Sequence, residues 1–363
     1  MTHENSLWPR LAGLPLVVEN YELEGLSAEL KGGMIRTTIL IRLRGAGQEG
    51  LGEDISPFPD DPDALRSAPA DLPLEGEWTL GSFCDHLATL DQWPKPPEWD
   101  AAKLYRNWAF ESAALDLALR QAGRALHEAL EREPRPLTFV NSLGLGDPPS
   151  TDTIHRRIAR YPDVHFKLDA AAAWTLAVCE DLAATGAVDV VDFKGQYGME
   201  VEDAQALADM YERVVKTFPD AILEDPHDLP EIAGPLGPHS GRVSYDALIH
   251  TVDDLATTPV NPIRTVNIKP CRTGGLRALL DLYAHCEAEG IQMYGGGMGE
   301  NGVGRGQIQL LAAIFHPDGP NDVAPSPFNF EEPPEGLPSS PLPPQPEATG
   351  FRREAERTST PAG

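Results

Sequence analysis

The chain has 363 residues, too many for one ordinary domain of about 150 and enough for an α/β barrel of about 250 with a smaller partner. Its 29 Lys+Arg against 56 Asp+Glu leave a net charge of −27, which repels phosphate backbones and anionic membrane surfaces and argues against either as a partner. With 41% hydrophobic and 23% charged residues the composition is that of a globular chain, but 35 prolines are nearly twice the usual usage of about 5%, so part of the proline must lie outside the core.

Lysine is scarce, 7 residues against 22 arginines, so a lysine inside an apolar strand-like run is informative, and Lys167, Lys194 and Lys269 are three such cases. Cys84, Cys179, Cys271 and Cys286 are widely spaced without a CxxC pair, which suggests neither a zinc knuckle nor a disulfide framework. The N-terminus lacks a charged segment followed by an apolar one, and no apolar run approaches the roughly 18 residues that span a bilayer. A cytoplasmic protein is expected.

Leu16–Leu23 reads as a strand. Met34–Arg44 alternates, with Ile35, Ile39, Ile41 and Leu43 on one face and Arg36, Arg42 and Arg44 on the other, as in a half-buried antiparallel strand. The Gly-rich stretch 45–54 reads as a turn into another strand, a proline-rich loop follows, and Tyr105–Leu130 carries apolar residues at helical spacing. Residues 1–135 thus form an α+β domain.

Beyond Pro136 short apolar strands alternate with amphipathic helices, the pattern of parallel βα units. Eight strands are predicted, beginning near Leu137, Val164, Val188, Ala221, Arg242, Thr265, Ile291 and Asn321, with the clearest helices at Val201–Phe218 and Leu276–Gly290. Eight such units close into a (β/α)8 TIM-type barrel over residues 136–330. The remaining segment, 331–363, is proline-rich with little apolar content and is expected to be a disordered tail.

In such a barrel the carboxyl ends of the strands face the active-site mouth. They carry, in order, Lys167 and Asp169, Asp192 and Lys194, Glu224, Asp246, and Lys269. Asp192, Glu224 and Asp246, on three successive strands, would converge as an all-oxygen site suited to a hard cation such as Mg²⁺. A carboxylate substrate held by the metal has its α-proton acidified, and a flanking lysine can remove it. Gly297–Gly302 matches GxGxxG but lies too late in the barrel for a dinucleotide site. His227 and His250 could act as acid/base groups, though solvated loop histidines are the commoner outcome.

The same residues resemble the enolase superfamily, in its muconate-lactonizing-enzyme and mandelate-racemase branches, over roughly Leu16 to Phe330. GLGE at Gly50–Glu53 looks like the turn of the family's capping domain, and AALDLAL at Ala113–Leu119 resembles the helix leading into the barrel. DFKGQY at Asp192–Tyr197, ILEDP at Ile222–Pro226 and the segment from Ser244 to Leu255 are similar to the motifs that supply the metal ligands, here Asp192, Glu224 and Asp246. NIKPCRTGGL at Asn267–Leu276 resembles the segment bearing the catalytic lysine, here Lys269, and GGGMGENGVG at Gly295–Gly304 the one bearing a glutamate, here Glu300. Glu300 and Asp322 are candidates for binding a substrate ammonium or hydroxyl.

Three departures stand out. The family's Lys-x-Lys is here Lys167-Leu168-Asp169, the Asn of its Asp-x-Asn is Lys194, and Asp246 is followed by Ala247. Residues two apart on a strand share a face, so Asp169 and Lys194 are expected at comparable heights on neighbouring strands. Lys194 would then place an ammonium near where the family's second lysine stands, form a purely structural pair with Asp169, or act as a cation that weakens metal binding. The resemblance implies Mg²⁺-dependent abstraction of a proton α to a carboxylate of a small-molecule substrate. Lys269 would be the base and Lys167 or Lys194 would stand opposite, leading to racemisation or epimerisation, cycloisomerisation, or β-elimination. Asp169 joins Glu300 and Asp322 as a substrate-binding candidate, and Leu16–Glu24 and Glu49–Pro62 are expected to set specificity. The lost second lysine leaves an alternative, an enolase-like binding or scaffold module without chemistry. A homo-oligomer is compatible with the sequence.

Overall fold

The computed structural model describes residues 6–29, 33, 35–57, 72–93 and 95–354. Leu16–Leu23 is not one strand: the chain leaves one sheet at Val18 and enters another at Asn20. After a first short helix α1 (Pro9–Ala12), β1 (Pro15–Val18) pairs antiparallel with β5 (Gly76–Thr79). β2 (Asn20–Glu29), β3 (Ile35–Gly45) and β4 (Gln48–Asp54) form a three-stranded antiparallel sheet. Helix α2 (Leu80–Leu87) starts on a Thr79–Ser82 capping box. The helix expected over Tyr105–Leu130 is two, α3 (Ala102–Gln121) and α4 (Leu126–Leu130).

On β3 the alternation holds for Ile39, Ile41 and Leu43, which are fully buried, and inverts at the strand's start, where Ile35 is 59% exposed and Arg36 is buried. The reason is hydrogen bonding. The Arg36 guanidinium donates to the carbonyls of Ile55, Ser56, Met298 and Gly299, which compensates its burial. The stretch 45–54 is mostly strand rather than turn: only Ala46 and Gly47 turn, and the GLGE motif lies within β4. Gly50 and Gly52 are required there because a Cβ would stand 2.2 Å from the Ala113 carbonyl oxygen and 2.0 Å from that of Ala109, so β4 lies directly on α3.

The second part is a ring of parallel strands: β6 (Val140–Gly144), β7 (His165–Asp169), β8 (Val188–Asp192), β9 (Ile222–Glu224), β10 (Val243–Tyr245), β11 (Thr265–Ile268) and β12 (Gln292–Gly295), each paired with its sequence neighbours. Helices α5 (Asp152–Arg160), α6 (Leu176–Ala184), α7 (Ala204–Thr217), α8 (Pro230–Leu236), α9 (Pro270–Thr273), α10 (Leu276–Glu289) and α11 (Val303–Phe315) follow the strands. After β10 the connection carries a 3-10 turn, Asp253–Ala256.

The eighth strand, expected from Asn321, is reduced to two bridges, Asn321 with Phe139 and Asp322 with Gly296. Pro320, Pro325 and Pro327 remove the donors that a longer ladder needs. The Asn321 side chain closes the ring instead: its Oδ1 accepts from the Gly295 amide (2.7 Å), and its Nδ2 donates to the Thr138 carbonyl (2.9 Å).

Residues 331–354 are not a disordered tail. Leu342 exchanges backbone hydrogen bonds with Leu137, and both side chains are buried. Phe351 is fully buried, edge-on to Trp108. The buried Asp116 of α3 accepts from the Phe351 amide (2.7 Å), from Arg352 Nε (2.6 Å) and from the Leu51 amide (2.9 Å). Proline-rich composition hides this, because two well-placed apolar side chains and one carboxylate suffice to pin the segment. Residues 355–363, like 58–62 of the expected specificity loop and Met34, lie outside the described residues. No described helix is long and apolar enough to cross a membrane.

Candidate active site

Lys167 lies in β7, Asp192 and Glu224 end β8 and β9, and Asp246 and Lys269 directly follow β10 and β11. The register sets Asp169 beside Asp192, Asp192 beside Glu224, and Glu224 beside Ser244. In an eight-place ring β7 and β11 face each other, so Lys167 and Lys269 approach from opposite walls with the acids of β8, β9 and β10 between them.

Lys167, Asp192, Glu224, Asp246 and Lys269 are all buried. Lys167 Nζ stands 3.0 Å from Asp192 Oδ2 and is bonded to Glu224 Oε1. Glu224 also accepts from Asn267 Nδ2 (3.1 Å) and from the Tyr294 hydroxyl (2.6 Å). Asp246 Oδ2 lies 2.8 Å from Lys269 Nζ and accepts from the Tyr197 hydroxyl, and Asp246 Oδ1 lies 2.9 Å from Arg272 Nε. Burial alone would depress the Lys167 pKa, but Asp192, Glu224 and Asp322 outweigh it and hold the ammonium well above its ordinary range. Burial likewise acts to raise Asp246, yet Arg272 and Lys269 hold its carboxyl far below the usual carboxylate range.

Among the described residues Asp192, Glu224 and Asp225 offer carboxylate oxygens within 4.8 Å of one another, and Asp225 adjoins the expected third ligand, Asp246. Asp225 follows the last residue of β9 in a left-handed conformation (φ 45°), which turns its side chain back toward the neighbouring strand end. There it accepts the amides of Asp246 (2.8 Å) and Ala247 (3.1 Å), so it holds the turn that carries Asp246. Strand alternation alone would point Asp225 away from the barrel interior, which is why the sequence did not signal it. Asn267, two residues before Lys269 on the same face, and Tyr294 are placed by that alternation and also contact Glu224. Arg272 and Tyr197 carried no sequence signal.

A divalent cation fits this donor set. With every carboxyl ionised, Asp169, Asp192, Glu224, Asp225, Asp246 and Asp322 would stand against Lys167, Lys194, Lys269 and Arg272 with two negative charges in excess. The excess is felt at Asp225, which burial, Asp246 and Glu224 push up to about 8, and at Glu224, which burial raises despite Lys167. Oxygen donors and a surplus of two charges suit a hard cation such as Mg²⁺.

Asp169 and Lys194 meet as expected, 3.2 Å apart. Asp322 lies at the edge of the cluster, 3.9 Å from Lys167 Nζ. Glu300 is buried, accepts the Met298 amide and pairs with Arg305 at 2.9 Å, contacts that brace its own loop. His227 is fixed by the Tyr211 hydroxyl and His250 Nδ1 lies against the Arg272 carbonyl, both structural contacts. From the cap, Glu53 accepts the amides of Asn301, Gly302 and Gly304 at the start of α11, which joins the two parts beside the mouth.

A parallel barrel with this cluster at its strand ends, under an α+β cap, is the fold of the enolase superfamily. An enolase-superfamily member of unknown function from Enterococcus faecalis V583 superposes with a TM-score of 0.65 at 17% identity, covering 93% of this chain and 94% of that one. Muconate cycloisomerase from Pseudomonas fluorescens gives 0.64 at 20% identity, covering 88% and 90%. A dipeptide epimerase from Methylococcus capsulatus, complexed with a Mg ion, gives 0.62 at 19% identity, covering 87% and 88%. Residues 9–129 and 133–330 match the N-terminal and C-terminal models of a domain of unknown function, DUF8230, and the chain belongs to that family. In addition, 91 residues are 32% identical to o-succinylbenzoate synthase of Bacillus subtilis (strain 168); the match spans 25% of this chain and about a quarter of that relative's length.

Proposed function

We propose that this protein is a Mg²⁺-dependent enzyme that removes a proton from the carbon α to the carboxylate of a small substrate. The supporting observation is the placement of two buried lysines, Lys167 and Lys269, on opposite walls of the barrel with buried acids from three strands between them. A scaffold would gain nothing from burying four acids and three bases at one end of a barrel, since such groups are costly unless used. The Mg-bound epimerase and the cycloisomerase with the same fold add to this reading.

Asp192, Glu224 and Asp246 would hold the cation, with Asp225 fixing the turn under Asp246. The bound cation supplies the positive charge that acidifies the α-proton. Lys269, once its own ion-pair proton has passed to solvent, would take the proton on one face, and the C–H electron pair would pass into the carboxylate oxygens. Lys167, kept protonated by its neighbours, returns a proton on the other face, which gives racemisation or epimerisation. Departure of a β-substituent or internal ring closure would lead instead to elimination or cycloisomerisation. The test is α-hydrogen exchange in D₂O over a panel of carboxylates with Mg²⁺ present. Exchange that disappears on chelation and in Lys269→Ala supports the proposal, and no exchange on any acid overturns it.

A further inference from the structure

We propose that Lys194 is a tethered competitor for the cation at Asp192, and that Asp169 is the place to which its ammonium withdraws when the cation binds. The inference rests on the divalent-cation part of the proposed function and concerns residues that depart from the superfamily pattern.

The backbone turns Lys194 back on its own strand. Lys194 adopts a left-handed conformation (φ 54°), uncommon for a residue with a Cβ and retained only where the surroundings enforce it. Three contacts enforce it here. The Lys194 amide donates to Asp192 Oδ1 (3.0 Å), the Gly195 amide donates to the Asp225 carbonyl (2.7 Å), and Gly195 lies so close to His227 that a Cβ would be 2.3 Å from the His227 nitrogen. A lysine on an extended strand end would aim outward; this one returns its ammonium to the residue two places before it.

The ammonium then lies between two carboxylates, 2.5 Å from Asp192 Oδ2 and 3.2 Å from Asp169 Oδ1. Asp192 is crowded with donors, because Lys167 Nζ is 3.0 Å from the same Oδ2 and the Lys194 amide occupies Oδ1. Asp169 is the opposite case. Its side chain is 39% exposed, and its Oδ1 makes no well-formed hydrogen bond although the atom itself is buried. A divalent cation arriving at Asp192 meets a like charge at contact distance, and the cheapest relief is a short swing of the flexible lysine onto Asp169. Lysine occupancy of Asp192 and cation occupancy are therefore alternatives, and Asp169 sets the balance between them.

The two residues must then have opposite effects on cation affinity, and their effects must depend on each other. Binding of Mn²⁺ to the full chain, read from the electron paramagnetic resonance of the free ion, tests this in the wild type, Lys194→Gln, Asp169→Asn and the double variant. Removing a competing charge a few ångströms away tightens binding in Lys194→Gln by about tenfold or more. Asp169→Asn weakens it by a similar factor, because the ammonium has lost its alternative partner. The double variant binds like Lys194→Gln, since without the lysine there is nothing to withdraw. Unchanged or weaker binding in Lys194→Gln overturns the proposal, as does a loss from Asp169→Asn that persists in full without Lys194, which would make Asp169 merely a distant negative charge. Equal Mn²⁺ binding by wild type and Lys194→Gln removes this inference and leaves the proposed function standing. Absence of binding in all four proteins removes both.

Discussion

Lys167 and Lys269 face each other across the barrel, and each is neutralised by a different acid: Lys167 by Asp192 and Glu224, Lys269 by Asp246. The two sides can therefore be disabled separately. Lys269→Ala leaves Asp246 paired with Arg272, so the fold is retained, while α-proton exchange falls by about 10²–10⁴. Exchange monitored by mass increase in D₂O, alongside a thermal melt, checks both halves of this expectation.

Asp225 and Asp246 should respond differently to removal of charge. Asp246→Asn is expected to weaken Mn²⁺ binding at least tenfold. Asp225→Ala strips the buried Asp246 amide and the half-buried Ala247 amide of their acceptor and should cost about 1–3 kcal/mol for the buried group, less for the other. Titration of Mn²⁺ beside urea unfolding separates loss of affinity from loss of stability.

His316 gives the fold an acid-sensitive seam. Burial pushes its pKa down to about 4. Its Nδ1 donates to Asn321 Oδ1, which also accepts the Gly295 amide, so the neutral ring is the form the fold contains. The unfolded chain takes up this proton below an ordinary pKa of about 6.5 and the folded chain only near 4. Stability is complete above 6.5 and declines as the pH falls through that window, by about 3 kcal/mol in all. Urea midpoints for the wild type and His316→Gln between pH 7.5 and 4.5 should converge as the pH falls.

The segment after Phe330 contributes to stability. Phe351→Ala opens a cavity against Trp108 and should cost about 3 kcal/mol or more. Limited proteolysis of the wild type is expected to spare residues 331–354, and in Phe351→Ala cleavage within them should accelerate.

Most of the barrel was legible because each parallel strand is a short, largely apolar run, so that charged residues within or just after it stand out: Lys167 inside its strand, Asp192 and Glu224 as the last residues of theirs, and Lys269 directly after its own. What was not legible depends on local reversals. Arg36 is buried against the alternation of β3 because carbonyls from the segments just after β4 and after β12 surround it. Asp225 enters the cluster through one left-handed residue. The motif around Glu300 does not show its ion pair with Arg305, five residues further on, which forms only when the loop folds back on the start of α11. The packed segment 331–354 was missed because composition counts apolar residues and says nothing about where they land.

The clasp formed by Asp116 with Phe351 and Arg352, and by Leu137 with Leu342, bears on how the chain is made. Asp116 sits in the middle of α3 without any solvent exposure, and two of its donors come from more than 230 positions later. Until residues beyond 350 have emerged from the ribosome, α3 carries a charged group with two of its donors missing, and before them Leu137, just ahead of the first barrel strand, waits for its backbone partner Leu342. The native state cannot be completed domain by domain during synthesis, so the nascent chain must be kept from aggregating over nearly its whole length of translation.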